Sequence, residues 1–299
     1  MRLPAMVKGD LRVPSLVPAA VLGVCALWPR PSAAQLPQAH TGFSWEAGAF
    51  FETASPRGWV QVRENQIEGT RLGFRQDLGA RSLHTMAVGA ELHPGRRTEW
   101  TILLESHSLS GRAVLPHDVN FNGATLAANS TLLTRTTFPS FLQATVMARR
   151  RFASLANGGT VRGDLGLTFV ALVFRLSGTL APASHGSETR EDFVTQELPV
   201  PVVGVSVEEP VVGPFTLRAA LDGGYLPTIN SLRREGGEVT LQQSHLAASL
   251  RLAYRIHAHW DVRLAYRFTH FAQRETSAED GNQIRVDSRG IALGFAGAF

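Results

Sequence analysis

Large apolar residues recur at every second position near the C-terminus of the chain. Val262, Leu264, Tyr266 and Phe268 share one face of an extended segment, and mainly arginine and alanine lie between them. A period of two residues is the side-chain period of a β-strand. A strand with one apolar face and one arginine-bearing face needs two different surroundings. A closed membrane barrel provides them as lipid outside and a polar lumen inside.

The same alternation recurs from residue 43 to the end and predicts an all-β chain. Ten alternating segments follow residue 67, and they lie at residues 69–75, 86–92, 99–105, 131–152, 160–179, 195–208, 213–226, 239–256, 262–269 and 291–299. Residues 43–53 and 59–62 add up to two further strands around the turn-like sequence Ser55–Gly58. Because bacterial single-chain barrels have even strand numbers, we predict a transmembrane antiparallel up-and-down β-barrel of about 12 strands. The alternative is ten strands, with residues 35–65 as an extension.

The connections between these segments alternate between long polar loops and short turns. The long loops lie at residues 110–130, 181–192, 227–237 and 275–283, and the short turns at 154–159, 208–213 and 256–260. Bacterial outer-membrane barrels are built with longer extracellular loops and short periplasmic turns. This sorting places Phe299 at the periplasmic end. It also predicts that residues 110–130 form an exposed loop able to fold back into the barrel mouth.

The first 34 residues have the composition of a secretory signal peptide. A positively charged start is followed by an apolar stretch from Val13 to Trp28 and by small residues up to Ala34. We predict cleavage near Ala34. An uncleaved membrane anchor and a lipoprotein signal around Cys25 are the alternatives.

Removal of this leader changes what the composition implies about the mature domain, residues 35–299. The leader holds four strong cations and one acid, so the formal charge falls from +4 to about +1. The only lysine, Lys8, and the only cysteine, Cys25, leave with it. A charge near zero gives no basis for a nucleic-acid partner. A mature chain without cysteine must be stabilised by its sheet rather than by disulfides.

The leader, the sorted loops, the alternating tyrosine- and arginine-bearing strands and the C-terminal Phe299 together resemble bacterial outer-membrane β-barrel proteins of the porin-like and small-barrel type. Gly69–Leu72 with Asp77–Gly79, and Phe121–Gly123, look like motifs of a poorly characterised subgroup of that class. The resemblance covers the mature chain and implies an outer-membrane location in a Gram-negative cell. It also implies contact with outer-membrane lipids and lipopolysaccharide, and insertion by the barrel-assembly machinery through the last strand. Gly297 departs from that insertion signal, which has a large apolar residue two places before the end.

Histidine–serine pairs are the candidates for nucleophilic catalysis. His185 and Ser187 have the His-x-Ser spacing of barrel-type lipid A deacylases, but they fall in a predicted loop without rigid support. His107 and Ser108 stand at a strand end, where adjacent residues face opposite ways. Ser244–His245 is a further pair of the same kind. We predict that the protein is not an enzyme and needs no cofactor. A barrel hydrolase acting on lipid or lipid A, centred on one of the first two pairs, is the alternative.

Two groups have residue types that bind metal ions. One is the set His257, His259 and Asp261, which share a face if their turn is extended. The other is a set of alternating oxygen donors in the long loop, namely Asp118, Asn120 and Asn122. The first lies in a tight exposed turn, and the second lacks the glutamate that an EF-hand loop requires. We therefore predict ordinary turn chemistry at both places and no metal.

The remaining signals concern the two faces of the barrel. The candidates for interfacial aromatic girdles are Trp45, Trp59, Trp100, Trp260, Tyr254 and Tyr266. Alternation places a set of arginines on the polar face, namely Arg71, Arg75, Arg149, Arg151, Arg218, Arg251, Arg263 and Arg267. Their candidate partners are Glu99, Glu105, Asp164 and Asp222. Buried charge must be paired, so the lumen is either a dry ion-pair plug or a water-filled pore biased toward anions. We prefer a mostly plugged or narrow lumen.

The sequence thus favours a monomeric, non-enzymatic integral outer-membrane barrel with a structural, narrow-pore or surface-binding role. Besides the hydrolase, a soluble periplasmic lipocalin-like binder with its apolar face inward is the further alternative. No residue pattern identifies a substrate, a permeant solute or a partner protein.

Overall fold

The computed structural model describes residues 43–64, 67–95, 97–136, 141–178, 190–192 (backbone only), 198–230, 238–278 and 281–299. The predicted signal peptide, residues 1–34, lies outside these ranges, and its cleavage stays a prediction. Fifteen strands occupy most of the described chain: β1 Ser44–Arg63, β2 Leu72–Gly73, β3 Leu83–His93, β4 Thr98–Val114, β5 Val119–Phe121, β6 Ala124–Leu126, β7 Thr131–Thr136, β8 Phe141–Ser154, β9 Thr160–Ser177, β10 Arg190–Asp192, β11 Val200–Pro210, β12 Phe215–Asn230, β13 Thr240–His257, β14 Trp260–Thr276 and β15 Gly281–Ala298. Within these ranges, no helix is long and apolar enough to cross a membrane.

The sheet closes on itself as an antiparallel barrel, which confirms the predicted fold class. Neighbours in the ring are mostly neighbours in sequence, in the order β1, β3, β4, β7 with β8, β9, β11, β12, β13, β14 and β15. β7 and β8 share one position, because both pair with β4 on one side and with β9 on the other. The last strand pairs with the first along its whole length, from Glu46 opposite Ala298 to Arg63 opposite Gly281. The ring therefore has no free edge among its wall strands.

The ring has ten positions, the lower of the two predicted counts. Residues 59–62 do not form a strand of their own, because β1 runs through Ser55–Gly58 while it stays paired with β15. Gly58 makes this possible: it has φ 116°, and a Cβ there would lie 1.9 Å from the Arg285 carbonyl oxygen. The prediction of a wall strand at residues 69–75 is also corrected. Only the two residues of β2 form a sheet pairing there, with two residues of β1.

The connections are sorted between the two ends of the barrel as the sequence predicted, with one correction. The predicted long loop at residues 275–283 is short, because β14 continues to Thr276 and β15 begins at Gly281. Short turns join β3 to β4, β8 to β9, β11 to β12 and β13 to β14, and both the start of β1 and Phe299 lie at that end. The longer connections, including those from β1 to β3 and from β4 to β7, lie at the other end. We call these the short-turn end and the long-loop end.

An apolar band surrounds the outside of the barrel next to the short-turn end. On β14 it runs from Trp260 through Leu264 and Tyr266 to Phe268, and Tyr266 is 53% exposed. Eight residues separate Trp260 from Phe268, or roughly 27 Å along a strand. At a strand tilt of about 40° this corresponds to roughly 20 Å of thickness, close to the ~25 Å band of membrane barrels.

Five of the six predicted girdle residues face outward in this band, and they are Trp45, Trp100, Tyr254, Trp260 and Tyr266. The sixth, Trp59, lies beyond the band toward the long-loop end, where Arg71 Cζ sits 4.2 Å above its ring. At the short-turn end, the rings of Trp45 and Phe299 stack at 4.6 Å. This contact joins the first wall strand to the last residue of the chain.

The lumen at the long-loop end is filled by an apolar plug, which we define as eight buried apolar residues of the connections from β1 to β3 and from β4 to β7. They are Leu72, Phe74, Leu78, Ala80, Leu115, Val119, Phe121 and Leu126, each 1% exposed or less. Phe74 and Phe121 both approach Phe174 of β9, with ring centroids 6.0 and 6.2 Å apart. Since β9 is four ring positions from β1, the plug crosses the lumen. This confirms that the 110–130 loop folds back into the mouth.

The plug reverses the polarity pattern along individual wall strands. On β9, Leu165, Leu167 and Phe169 face outward and are at least 42% exposed. The apolar residues then change parity, and Leu172 and Phe174 face inward at 1% exposure. Above the band, the inner face of the wall is apolar because it contacts the plug. The outer face is polar there because it lies beyond the apolar band. Below that level the inside is polar and becomes the candidate site.

Candidate functional site

Between the plug and the short-turn end, the lumen holds a cavity of about 300 Å³. A second cavity of about 140 Å³ lies nearer the short-turn end. The two share five charged lining residues, namely Glu46, Glu91, Arg218, Arg251 and Arg263. We call the two cavities and the charged side chains around them the charged chamber.

Arg149 of β8 joins carboxylates from three other strands. Its Nη1 donates to Glu91 Oε1 at 3.1 Å and to Glu99 Oε1 at 3.0 Å. Its Nε lies 3.7 Å from Asp164 Oδ1. Glu99 and Asp164 are each 6% exposed, so they depend on this guanidinium for the pairing that buried charge requires.

Arg267 of β14 holds a second cluster deeper in the lumen. Its Nη1 donates to Glu52 Oε2 at 2.7 Å, and its Nη2 donates to Glu105 Oε1 at 2.9 Å. Its Cζ lies 4.8 Å from the centre of the Phe50 ring. Both glutamate side chains are only 3% exposed. One arginine therefore pairs with two carboxyl groups that almost no bulk water reaches.

A third group lies toward the short-turn end. Arg263 Nη2 pairs with Glu46 and lies 3.3 Å from Asp261 Oδ2. Arg218 is held more loosely, with Nη1 4.0 Å from Glu91 Oε1 and 3.9 Å from Glu208 Oε2. Longer separations of this kind leave a guanidinium able to take a further acceptor.

Arg251 is the cation with the least compensation in the chamber. Among the described residues, no carboxylate oxygen lies within 4.0 Å of its guanidinium, although it lines both cavities. Its register partner on β12 is Arg218, another cation. Like charges placed directly opposite each other in a sheet repel. The pair therefore forms a local surplus of positive charge beside a cavity.

The chamber also contains buried polar atoms for which the described residues provide no hydrogen-bond partner. They include both carboxylate oxygens of Asp164, Oδ1 of Asp222, Nε of Arg263, and Nε2 of His107 and of His245. Buried polar atoms are satisfied by protein or by ordered water in nearly all structures. The chamber is thus chemically suited to water or to a small polar solute.

The structure separates the predicted lumen arginines into two sets. Five of them face the chamber: Arg149, Arg218, Arg251, Arg263 and Arg267. Arg151 is half-buried nearer the short-turn end of β8. Arg71 and Arg75 correct the prediction, because they are exposed on the outside, where Arg75 Nη1 donates to Ser55 Oγ at 3.3 Å. They lie above the parity change, where polar positions face outward.

The four predicted acidic partners all face the chamber or its network, and sequence reasoning missed several others. Glu99, Glu105 and Asp164 pair with arginine as described, and Asp222 lines the larger cavity. The missed charges are Glu46, Glu52, Glu91, Arg162 and Glu208. The alternation of β1 could have revealed Glu46 and Glu52, because they share a face opposite Trp45 and Phe51.

The described histidine–serine pairs are not brought together for catalysis. His107 faces the lumen, where its Nδ1 lies 2.9 Å from Thr85 Oγ1 and its ring lies 4.5 Å from Phe141. Ser108 follows it on β4 and takes the outer face. His245 likewise packs on Phe271 at 5.0 Å, with Ser244 on the other face. His185 and Ser187 lie outside the described residues.

The two candidate sets of metal-binding residue types make contacts that are typical of turns. Asp118 Oδ1 accepts from the Ala128 backbone N–H at 2.7 Å, and Asn120 Oδ1 accepts from Thr125 Oγ1 at 2.8 Å. Asn122 takes φ 49°, which asparagine tolerates in tight turns. His257 and His259 are exposed, with ring centroids 6.4 Å apart.

A different trio, Glu91, His93 and Glu99, brings its ligand atoms within 4.8 Å of one another. Arg149 Nη1 already lies between the two carboxylates, at 3.1 and 3.0 Å. A guanidinium in this position supplies the positive charge that the two glutamates need. The trio therefore belongs to the Arg149 network.

No model of a known protein family matches the sequence, and no curated protein matches it. Among solved structures, the chain is similar to the outer membrane protease OmpT from Escherichia coli, with 10% identity, a TM-score of 0.47, and coverage of 90% of this chain and 99% of that one. It is also similar to the outer membrane protein OprG from Pseudomonas aeruginosa, with 11% identity, a TM-score of 0.36, and coverage of 88% and 98%. A third similarity is to the translocator domain of autotransporter NalP from Neisseria meningitidis, with 12% identity, a TM-score of 0.38, and coverage of 88% and 91%.

Proposed function

We propose that the protein is an integral outer-membrane barrel with a closed lumen and a charged chamber that opens toward the periplasm. The observation that carries the proposal is the apolar band, whose outward residues surround a wall with charged residues inside. Leu293 and Leu165 are 60% and 64% exposed on the outer face, whereas Glu105 and Asp164 are buried on the inner one. Only a lipid environment makes the outer face stable in this arrangement.

The same observation favours the membrane barrel over the soluble lipocalin-like alternative. A lipocalin-like binder would place its apolar residues around an internal ligand. Here the outward side chains at the level of the chamber are large and apolar, whereas the lumen side carries the charged network. The short turns and Phe299 then belong to the periplasmic side, and the long loops with the plug belong to the cell surface.

We further propose a non-enzymatic role without ion conduction. Support comes from the plug, whose eight loop residues are each 1% exposed or less. Water and ions do not enter a densely packed apolar layer, because its atoms offer them no hydrogen bonds. The role that fits is a closed surface barrel rather than a general pore.

Planar-bilayer recording tests this proposal on the mature full-length chain. We expect insertion into the bilayer, measured by protease protection of the strands in vesicles, without discrete conductance steps. A protein that stayed soluble and monomeric without detergent would refute membrane insertion. Stable ohmic channels would refute the closed lumen.

A second candidate function, binding of a small anion from the periplasmic side, is favoured by the surplus charge at Arg251. Guanidinium groups bind carboxylate and phosphate oxygens by paired hydrogen bonds. We expect inorganic phosphate to bind in the chamber and Arg251→Gln to weaken that binding by about tenfold.

Isothermal titration of the detergent-solubilised protein with inorganic phosphate measures this effect. Arg150→Gln is the matched control, because Arg150 is exposed near the short-turn end and lines neither cavity. Equal affinities for the wild type and Arg251→Gln would exclude the anion site.

A further inference from the structure

Positive and negative charges are separated along one wall of the charged chamber. Arg218 on β12 and Arg251 on β13 lie directly opposite each other in the sheet, and both line the larger cavity. Asp222 lines the same cavity and lies four residues beyond Arg218 on the same strand, or about 13 Å along it. The cavity therefore has a cationic side and an acidic side.

The acidic side contains two carboxyl groups that meet over a glycine. Gly204 on β11 pairs with Asp164 of β9 on one side and with Asp222 of β12 on the other. A Cβ at Gly204 would lie 2.1 Å from Asp222 Oδ1. The carboxyl group of Asp222 thus occupies the space that a side chain at position 204 would fill, and it extends toward Asp164.

The described part of the protein supplies too little positive charge for these two acids. The Asp164 side chain is 1% exposed, and none of the described residues forms a hydrogen bond to either of its oxygens. Arg149 Nε lies 3.7 Å from Asp164 Oδ1, but the same guanidinium already pairs with Glu91 and Glu99. In the described part of the chain, no arginine or histidine nitrogen comes within 4.0 Å of the Asp222 oxygens. Because buried carboxyl groups need pairing, a cationic group from outside the chain would stabilise them.

The cationic side needs the opposite kind of group. Arg251 has no carboxylate oxygen within 4.0 Å among the described residues, and Arg218 holds Glu91 and Glu208 only at 4.0 and 3.9 Å. An anion bound here alone would leave the acids unpaired. The described lining of the larger cavity holds five arginines and five acidic residues, so a ligand without net charge preserves that balance.

We infer that the charged chamber binds a zwitterionic small solute whose ammonium group and carboxylate are separated by a short chain. The carboxylate lies against Arg218 and Arg251, and the ammonium group lies against Asp222, beside Asp164. This inference deepens the proposed anion site at Arg251 and rests on it, because it adds a second contact to the same ligand.

The spacing of the two sides selects the length of the solute. An α-amino acid is too short to contact both sides, because its ammonium group and carboxylate are attached to the same carbon atom. An ω-amino acid with several methylene groups can reach both. Small residues leave room for its chain, since Ala220 lies between Arg218 and Asp222 on the lumen face of β12, and Ala247 lies opposite Asp222 on β13.

Isothermal titration of the mature full-length protein in detergent tests the inference with 6-aminohexanoate as the zwitterion. Hexanoate and hexylamine each keep one of its two charges, and glycine is the short zwitterion. We expect 6-aminohexanoate to bind the wild type at least about tenfold more tightly than each of the other three. Equal affinities for 6-aminohexanoate and hexanoate would overturn the inference.

Two variants assign the two contacts. Asp222→Asn should reduce the preference for 6-aminohexanoate over hexanoate by at least about tenfold, because it removes the acid that lines the cavity. Arg251→Gln should weaken both ligands by about tenfold, since both present a carboxylate. Glu209→Gln is the control for loss of an acid, because Glu209 lines neither cavity, and all affinities should stay within about twofold. An Asp222→Asn protein that kept the full preference would contradict the ammonium contact.

Inorganic phosphate separates failure of this inference from failure of the anion site. If neither phosphate nor hexanoate binds the wild type, the proposed anion site fails and the inference fails with it. If phosphate binds and Arg251→Gln weakens it, but 6-aminohexanoate gains nothing over hexanoate, only the inference fails. Protease protection in phosphatidylcholine vesicles shows whether each variant is folded and inserted. Should Asp222→Asn be unprotected, the comparison of the four probes on the wild type decides alone.

Discussion

Arg267→Ala lowers the free energy of unfolding by about 3–5 kcal/mol, the largest loss that we expect from a single substitution in the lumen. Arg267 donates to Glu52 at 2.7 Å and to Glu105 at 2.9 Å. Without it, two carboxylates that are 3% exposed would face each other without a cation. The destabilisation comes mostly from these orphaned charges, and it should appear as a lower midpoint in urea unfolding from vesicles.

Two comparison variants separate this cause from simple loss of packing. R267A/E52Q/E105Q removes both orphaned charges and should recover most of the lost stability. Arg255→Ala removes an exposed arginine from a single ion pair and should change stability by about 0–1 kcal/mol. A triple variant no more stable than Arg267→Ala would contradict the explanation.

Gly111→Val should displace the plug and convert the closed barrel into a conducting one. A Cβ at Gly111 would lie 2.1 Å from the Leu78 carbonyl oxygen and 2.7 Å from the Ala80 backbone nitrogen. The contact is equally close at Gly79 of the plug segment, where a Cβ would lie 2.1 Å from the Arg112 carbonyl oxygen of β4. Gly79 also has φ 63°. Backbone atoms cannot rotate away as side chains can, so the plug segment must move.

Single-channel recording measures this outcome, with steps expected from Gly111→Val and none from the wild type. Overpacking of this kind typically destabilises by about 1–3 kcal/mol, which a closed ring can tolerate. Gly95→Val is the control, because no atom lies within 4 Å of a Cβ at that turn position. A folded, inserted Gly111→Val protein that never conducted would show that the plug does not close the lumen.

The wall of the barrel could be predicted from the sequence because its strands alternate strongly within the apolar band. Val262, Leu264 and Tyr266 face lipid, whereas Arg263, Ala265 and Arg267 face the chamber, as the period of two required. The sorting of loops followed for the same reason, since turn and loop lengths are visible in the spacing of the alternating segments.

The plug could not be predicted in the same way, because alternation does not distinguish a wall segment from a segment packed within the lumen. Leu72 and Phe74 alternate like a strand, yet they are buried among plug residues. On β9 the apolar residues occupy odd positions up to Phe169, which faces outward, and even positions from Leu172, which faces inward. This change is visible in the sequence. It marks the level at which the surroundings of the strand change.

The charge pairing also depended on information that alternation does not contain. Which arginine meets which carboxylate is set by register across several strands. Arg149 reaches Glu91, Glu99 and Asp164 from three neighbours, and no local pattern joins those positions.

The pairing of β1 with β15 determines the order in which the molecule can fold. The ring closes when Glu46 meets Ala298 and Arg63 meets Gly281, residues from nearly opposite ends of the chain. Contacts between such distant residues form slowly, because a long loop must close before they gain any stabilising energy. Until then β1 and β14 are open edges able to pair with another chain. A nascent barrel is therefore most vulnerable to misassembly just before its final strand arrives, and protection at that stage matters more than at any other.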